Sequence, residues 1–284
     1  MTAHAGMKRA IEKAYASIAE GQLHLRRRRG NEGAASLCLL HASPSSSRSL
    51  VPLMERFGPE LAVYAFDTPC NGQSPSPVCT APEVADFADM MARGAQALGL
   101  SRLALYGTHT GAHIAVEWAL AQPRAIGALV IDGAALLDEA MRAEFLEHYA
   151  PRRTPDETGA QFHWAWNFIR DQMLFFPHYR KDEAHLRRGG SLDPHLLHEL
   201  TLDVLGNLET YHLPYEAVFR HDLRARLAQL ALPVLVLGDA ASALDPATEV
   251  IARLVPGAKV ARDCADPAAK AAAITAFLEE TRLG

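Results

Sequence analysis

The 284-residue sequence lacks long apolar runs and has few cysteines. No run reaches the roughly 18 apolar residues that a membrane-spanning helix needs, and the N-terminal segment lacks the apolar stretch of a signal peptide. The four cysteines, Cys38, Cys70, Cys79 and Cys264, are scattered and form no Cys-x-x-Cys pair. Because such spacing gives no disulfide framework, these absences predict a cytoplasmic protein without a membrane segment.

Charge of one sign is also scarce. The net charge is −5, and acidic and basic residues are mixed along the sequence. The single basic run, residues 26–29, is interpreted as a solvated strand end rather than a binding patch. These features argue against nucleic acid or an anionic membrane as a partner. They favour a small-molecule substrate or ligand, and a homodimer stays open.

Apolar residues make up 49% of the sequence, which is ample for a buried core. Their order predicts alternating strands and helices, and therefore a mainly parallel sheet with helices on both faces. We expect a core of residues 1–135 and 216–284, interrupted by a helical, aromatic cap of residues 136–215. Strands are predicted at 14–18, 22–28, 36–40, 61–66, 103–106, 128–131, 232–237 and 259–264, and helices at 83–98, 112–122 and 267–282.

A Gly-x-X-x-Gly segment lies between a predicted strand and a predicted helix, from Gly107 to Gly111. This layout is typical of a nucleophile elbow, a tight turn that raises its central side chain above the sheet. The two glycines let the strand and helix backbones approach where a Cβ would clash. The central residue of an elbow is usually Ser, but here it is His109, so the frame is present without the usual nucleophile.

Four segments, in their order and spacing, resemble the α/β-hydrolase superfamily along nearly the whole chain. Segment 39–44, Leu-Leu-His-Ala-Ser-Pro, stands in the place of the family's oxyanion loop, and segment 67–74 is similar to its Asp-x-x-Gly-x-Gly-x-Ser motif. The elbow at 107–111 and the strand at 232–239 complete the set. The resemblance implies an α/β fold with a doubly wound, mainly parallel sheet and a helical cap insertion.

The resemblance also implies a triad of nucleophile, acid and late histidine, and all three positions differ here. His109 stands at the nucleophile position, where a neutral imidazole can act as a nucleophile or as a base. The family's acid position is Ala241, so Asp132 and Asp239 are the alternative acids, and a site without an acid also stays open. No histidine follows His221.

Further candidates surround the elbow. The resemblance implies oxyanion donors at the backbone N–H groups of Ala42 and Thr110. His113 follows His109 by one helical turn, but no third ligand has a fixed spacing, so neither a metal nor another cofactor is expected. Four side chains are candidate substrate contacts, each with a purely structural role as its alternative: His41, His163, Trp166 and His212.

Two functions fit these residues. The first is an atypical hydrolase or lyase that acts on a small organic ester, lactone or carbon–carbon bond, with His109 as base or nucleophile. The second is an α/β-hydrolase-fold protein that has lost turnover and binds a small ligand or a partner. The missing late histidine favours the second, whereas the retained elbow, oxyanion loop and cap favour the first.

Overall fold

The computed structural model describes residues 10–187 and 190–281, and its strands form one sheet. The strands are β1 Glu12–Ile18, β2 Gly21–Arg28, β3 Ala35–Leu40, β4 Leu61–Phe66, β5 Leu103–Thr108, β6 Ile126–Asp132, β7 Val234–Leu237 and β8 Lys259–Ala261. Their order is β1-β2-β4-β3-β5-β6-β7-β8. The pairs β1–β2 and β2–β4 are antiparallel and the other pairs are parallel, which confirms the predicted mainly parallel sheet.

Helices cover both faces of the sheet. They are α1 Val51–Met54, α2 Val84–Ala97, α3 Thr110–Ala121, α4 Glu139–His148, α5 Ala160–Leu174, α6 Pro194–Gly206, α7 His212–Arg220, α8 Leu223–Leu227, α9 Asp245–Leu254 and α10 Pro267–Glu280. Successive side chains of a strand point to opposite faces. Leu37 and Leu39 of β3 therefore belong to the core formed with α1 and α10. Cys38 and Leu40 belong to the core formed with α2 and α3.

Helices α4 to α8 all lie between β6 and β7, in the stretch whose pattern is helical and aromatic. Within the described part of this stretch, no strand joins the sheet. The expected boundary after residue 215 falls inside α7, which continues to Arg220 without a break. No helix in the described ranges is long and apolar enough to cross a membrane.

The last strand is shorter than its apolar pattern predicts. β8 ends at Ala261, and the chain then turns at Asp263, which adopts a positive φ of 59°. Cys264 returns to the sheet by donating its backbone N–H to the carbonyl oxygen of Gly238. The predicted end of the final helix at residue 282, and residues 1–9 of the N-terminal segment, lie outside the described ranges.

Candidate active site

The elbow lies at the carboxyl end of β5, in the middle of the sheet. A Cβ at Gly107 would lie 2.3 Å from the carbonyl oxygen of Gly111, and a Cβ at Gly111 would lie 2.3 Å from that of Leu40. Between the two glycines, His109 adopts φ 51° and ψ −114°. Such a backbone costs a residue other than glycine on the order of 1–3 kcal/mol, and strained positions of this kind cluster at active sites.

The backbone and ring of His109 are both held by the end of β6. The backbone N–H of His109 donates to the carbonyl oxygen of Asp132 at 3.0 Å. The imidazole lies beside Gly133, where an added Cβ would be 3.4 Å from Nε2. Gly133, which has a φ of 68°, therefore turns the chain and leaves room for the ring.

His109 lines a cavity of about 520 Å³ that lies between the sheet and helices α4 to α7. A cavity of this size fits a small organic molecule. Most of its wall is apolar, while a few polar side chains converge on it from the elbow, α5, α10 and the chain that follows α5. The apolar wall includes Phe145, Tyr149, Ile169, Met173, Phe176 and Phe219.

The surroundings keep the imidazole of His109 neutral. The side chain of His109 is exposed to the cavity, and desolvation by the surrounding protein lowers its pKa. The nearby Asp132 carboxylate raises this pKa, whereas the cationic side chains of Arg187 and Lys270 lower it. Because the net shift is downward from 6.5, the ring carries a lone pair at neutral pH.

The structure corrects the role expected for Asp132. Its Oδ2 accepts hydrogen bonds from the Tyr106 hydroxyl at 2.5 Å and from Lys270 Nζ at 2.6 Å. Among the described contacts, its hydrogen bond with His109 uses the backbone carbonyl and not the carboxylate. Asp132 therefore organises Tyr106 and Lys270, and it influences the imidazole through charge rather than by orienting the ring.

Asp239 also differs from its expected role. Its Oδ1 accepts from the backbone N–H of Ala241 at 2.9 Å, within the loop that follows β7. This local hydrogen bond is an Asx turn, which occupies the carboxylate with its own backbone. Asp239 does not belong to the wall of the cavity that holds His109, so it is not placed to orient the imidazole.

Lys270 is a site residue that the sequence pattern did not indicate. It lies in the first turn of α10 and lines the cavity, close to where the resemblance implies the late histidine. The Asp132–Lys270 ion pair joins residues 138 positions apart in sequence. One sequence signal pointed towards Lys270. Pro267 marks the start of the last helix, so position 270 lies in the first turn of that helix.

The oxyanion loop and the elbow meet at the cavity. Ala42, Ser43 and Thr110 all line it, and the backbone N–H of Ser43 points to Thr110 Oγ1 at 3.4 Å. Thr110 is the first residue of α3, where a backbone N–H has no intrahelical acceptor. The oxyanion pair of Ala42 and Thr110 stays a prediction, and the neighbouring Ser43 N–H is engaged by Thr110 Oγ1.

His41 is fully buried and bonded to backbone on both sides of its ring. Its Nδ1 donates to the carbonyl oxygen of Ala42 at 2.7 Å, and its Nε2 accepts from the backbone N–H of Thr68 at 3.0 Å. It is not part of the cavity wall. These contacts correct the expected substrate contact at His41, because they match its alternative, a histidine that orders the loops on either side of it.

The three candidates from the stretch predicted to be a cap lie outside the cavity wall, which disagrees with their expected role as substrate contacts. His163 and Trp166 lie on the exposed side of α5, with Trp166 38% exposed. His212 is buried in α7, away from the wall. Aromatic spacing identifies a helical face but not the direction in which that face points. Within α5 the cavity is lined by Ile169, Gln172 and Met173, which lie closer to the carboxyl end of the helix.

Arg187 is a second cavity residue that the sequence pattern did not indicate. Its Nη1 donates to the carbonyl oxygen of Gln172 at 2.8 Å. Among the described residues, no carboxylate forms an ion pair with it. A guanidinium group in a mainly apolar wall is a suitable partner for a carboxylate on a bound molecule.

Comparisons with known proteins agree with this fold. Residues 35–195 match the model of a family described as alpha/beta hydrolase fold. A 2-hydroxy-6-oxononadienedioate/2-hydroxy-6-oxononatrienedioate hydrolase of Pseudomonas putida is 32% identical over 130 residues, which are 44% of this chain and 46% of that protein. The chain thus aligns with less than half of that relative's length.

Two solved structures share the fold over almost the whole chain. The enol-lactonase from Burkholderia xenovorans LB400 has a TM-score of 0.68 at 18% identity, covering 95% of this chain and 100% of that one. A hydrolase from Pseudomonas aeruginosa PA01 has a TM-score of 0.68 at 19% identity, covering 94% of this chain and 98% of that one.

Proposed function

This chain belongs to the α/β-hydrolase fold family, and we propose that it is an enzyme that cleaves a small organic ester, lactone or carbon–carbon bond. We assign the base or nucleophile to His109. The observation that carries the proposal is a neutral imidazole on a strained elbow that faces a cavity of about 520 Å³. A lone pair presented to a pocket in this way is what attack on a carbonyl group requires.

As a base, His109 takes a proton from a water molecule, and the resulting hydroxide attacks the carbonyl carbon. The tetrahedral oxyanion then collapses, the bond to the leaving group breaks, and the His109 imidazolium returns the proton to the leaving atom, which is oxygen in an ester or lactone and carbon in a carbon–carbon bond. As a nucleophile, a ring nitrogen of His109 attacks the carbonyl carbon, and the bond to the leaving group breaks as the acyl-imidazole forms. The leaving group takes a proton from water, and a second water then hydrolyses the acyl-imidazole to the free acid and the free imidazole. Both routes begin from the deprotonated ring that burial and the neighbouring cations favour.

Two groups are available to stabilise the negative charge that develops. The backbone N–H groups at the oxyanion loop and at Thr110 border the cavity beside the imidazole. The Lys270 ammonium group, which Asp132 holds at 2.6 Å, also lines the cavity. It supplies a positive charge in the region where the family's late histidine is absent.

The wall of the cavity favours a mainly apolar substrate that carries a carboxylate. The guanidinium of Arg187 would pair with that carboxylate, while aromatic side chains such as Phe145 and Phe219 would contact the apolar part. The Pseudomonas putida relative is named as the hydrolase of a dioate, which is a dicarboxylate. This likeness supports the substrate class without identifying the substrate.

The test is the His109→Ala variant, assayed with a panel of aryl esters and lactones, each as a neutral and a carboxylate-bearing pair. We expect kcat/KM to fall at least 10²-fold, since a positioned base contributes about 10²–10⁴-fold. The control is His163→Ala, which removes an exposed histidine outside the cavity and should leave kcat/KM unchanged. Rapid quench and intact-mass measurement would reveal an acyl adduct only if His109 is the nucleophile.

Two results would contradict the proposal. Unchanged turnover in His109→Ala would remove the imidazole from the chemistry. Absence of turnover by the wild-type protein on every member of the panel would favour the second candidate, a protein of this fold that binds a small ligand without converting it. The observation that favours this candidate is that no carboxylate of the described residues is hydrogen-bonded to the His109 ring.

A further inference from the structure

A second chamber adjoins the cavity that holds His109, next to the loop that follows β7. It has a volume of about 380 Å³ and lies between residues 184–187 on one side and residues 240–246 on the other. We call it the outer chamber, and the cavity of about 520 Å³ the inner chamber. Residues from both sides line both chambers, namely Phe176, Arg187, Ser242 and Ala243.

Each side of the outer chamber is held by its own backbone hydrogen bonds. On one side, the backbone N–H of Phe176 donates to the carbonyl oxygen of His185 at 2.9 Å. On the other side, the backbone N–H of Ser242 donates to the carbonyl oxygen of Asp239 at 2.8 Å. Among the described residues, no hydrogen bond or ion pair crosses from one side to the other. The chamber is therefore pre-formed, and no polar contact bridges the space between its two sides.

Arg187 stands where the two chambers meet, and it is exposed. Its Nη1 donates to the carbonyl oxygen of Gln172, and Gln172 lines the inner chamber, so this hydrogen bond holds one edge of the guanidinium on the inner side. Besides the larger effect of burial, the charge of Arg187 also lowers the pKa of His109. Since no carboxylate of the described residues forms an ion pair with it, the guanidinium is available to an anion at the junction.

Apart from Arg187, each polar side chain of the outer chamber already has a partner within the protein. The His185 ring contacts a carboxylate at 2.6 Å, and the Asp245 carboxylate accepts from a guanidinium at 3.0 Å. The Ser242 hydroxyl accepts from a backbone N–H at 3.2 Å. The rest of the wall is apolar and consists of four alanines together with Phe176, Leu186 and Pro246. The outer chamber therefore suits an apolar group.

A carboxylate bound to Arg187 ends its own chain, so a group that reaches the outer chamber must branch from a carbon beside it. We propose that the outer chamber is a second subsite, continuous with the inner chamber, and that it receives an apolar branch on the carbon next to the substrate's carboxylate. The substrate class is then an α-branched carboxylate rather than an unbranched one. This inference rests on the proposed function for the carboxylate, but it concerns binding and is measured without turnover.

The experiment compares a matched pair of probes by calorimetry, 3-(2-naphthyl)propanoate and 2-(2-naphthylmethyl)hexanoate. The two share the ring and the carboxylate, and the second adds a butyl branch on the carbon next to the carboxylate. The wild-type protein should bind one enantiomer of the branched probe at least about tenfold more tightly, the gain expected when roughly two of the four butyl carbons leave water. We call the quotient of the two affinities the branch ratio.

Two variants fill the outer chamber from neighbouring positions, Ala240→Trp and Ala241→Trp. Both alanines are exposed and line the outer chamber but not the inner one. We expect the branch ratio to fall to about one in each, because the indole takes the place of the butyl group, while the affinity for the unbranched probe stays close to the wild-type value. The matched control is Ala228→Trp, at an exposed alanine that lines neither chamber, and it should keep the wild-type branch ratio.

A third variant, Arg187→Gln, tests the junction. It should weaken both probes about ten- to a hundredfold, the loss expected for a hydrogen bond between charged groups, and keep the branch ratio. Unchanged affinities in this variant would mean that the carboxylate lies elsewhere, and the proposal would fail.

The proposal would also be overturned by a branch ratio of about one in the wild type, or by a ratio that both tryptophan variants retain, since the butyl group would then lie in the inner chamber. These results leave the proposed function intact if His109→Ala still abolishes turnover. A wild type that shows the expected ratios but converts no member of the ester and lactone panel would contradict only the proposed function.

Discussion

Lys270 carries a positive charge close to the chemistry that we assign to the elbow, and its Nζ contacts Asp132 Oδ2 at 2.6 Å. In Lys270→Met this charge is lost and the Asp132 carboxylate is left with Tyr106. Lys270 lowers the pKa of His109, so the loss of its charge raises that pKa. The Asp132 carboxylate, which raises the same pKa, is then no longer paired with a cation. Because a base must be deprotonated to act, activity should begin to fall at a higher pH than in the wild type.

The measurement is the profile of kcat/KM between pH 4.5 and pH 8.5. We expect the acid limb to move to higher pH and the plateau to fall about 10²-fold, since one stabilising charge is removed from the site. The control is Lys259→Met, which removes a lysine that pairs with Glu280 on the surface. An acid limb that stays in place while the plateau falls would mean that His109 is not the titrating base.

At the scale of single residues, the sequence identified the position of His109 on the elbow but not the side chains that surround it. The spacing of Gly107 and Gly111 places His109 on the elbow, because this turn is defined by residues close in sequence. The partners of Asp132 come from β5 and α10, and no local pattern indicates which distant side chain a carboxylate will meet. The same reason explains why Arg187 was missed.

The close packing of β5 against α3 requires a glycine at position 107, where there is no room for a side chain. A Cβ at Gly107 would lie 2.3 Å from the backbone of the helix, and backbone cannot rotate away. We expect Gly107→Ala to lower the free energy of unfolding by about 3 kcal/mol, at the upper end of the range for overpacking. The matched control is Gly206→Ala at the end of α6, where no atom lies within 4 Å of the new methyl group.

Urea unfolding at pH 7 measures both variants. Gly206→Ala should unfold within about 0.5 kcal/mol of the wild type, as surface substitutions usually do. If the two variants were equally stable, the crossing of β5 and α3 would have to be looser than its geometry indicates.

The sequence predicted the ends of strands most accurately where apolar residues are continuous. The strand predicted at 61–66 has both ends correct in β4. The strands predicted at 103–106 and 128–131 extend to Thr108 and Asp132, because the ladder between β5 and β6 continues through residues that carry no apolar signal. Hydrogen bonding between strands, rather than side-chain type, sets these ends, so composition cannot locate them.

A charged cluster lies where the chain returns from helices α4 to α7 towards the sheet. Arg226 of α8 and His221, which precedes it, contact Glu117 of α3, and the side chain of Glu117 is 9% exposed. The cluster joins the segment after α7 to α3, the helix that begins at the elbow. Its ionisation therefore links the stability of the whole molecule to pH.

Glu117 should stabilise the fold above pH 4.5, the ordinary pKa of its carboxyl group, because the folded protein holds this pKa at about 2. The ionised Glu117 contributes about 3 kcal/mol to the free energy of unfolding above pH 4.5. This contribution is lost as the pH falls from 4.5 towards 2, and about 2 kcal/mol of it is lost by pH 3. The measurement is the free energy of unfolding in urea at pH 6, 4 and 3, for the wild type and for Glu117→Gln.

The variant should be less stable than the wild type at pH 6, and the difference should shrink by about 2 kcal/mol at pH 3. Other acids with lowered pKa values, such as Asp67, lose stability in both proteins and cancel in this comparison. The difference in the free energy of unfolding between the two proteins therefore reports on Glu117 and its partners. If it stayed constant from pH 6 to pH 3, the Glu117 carboxylate would titrate normally in the folded protein.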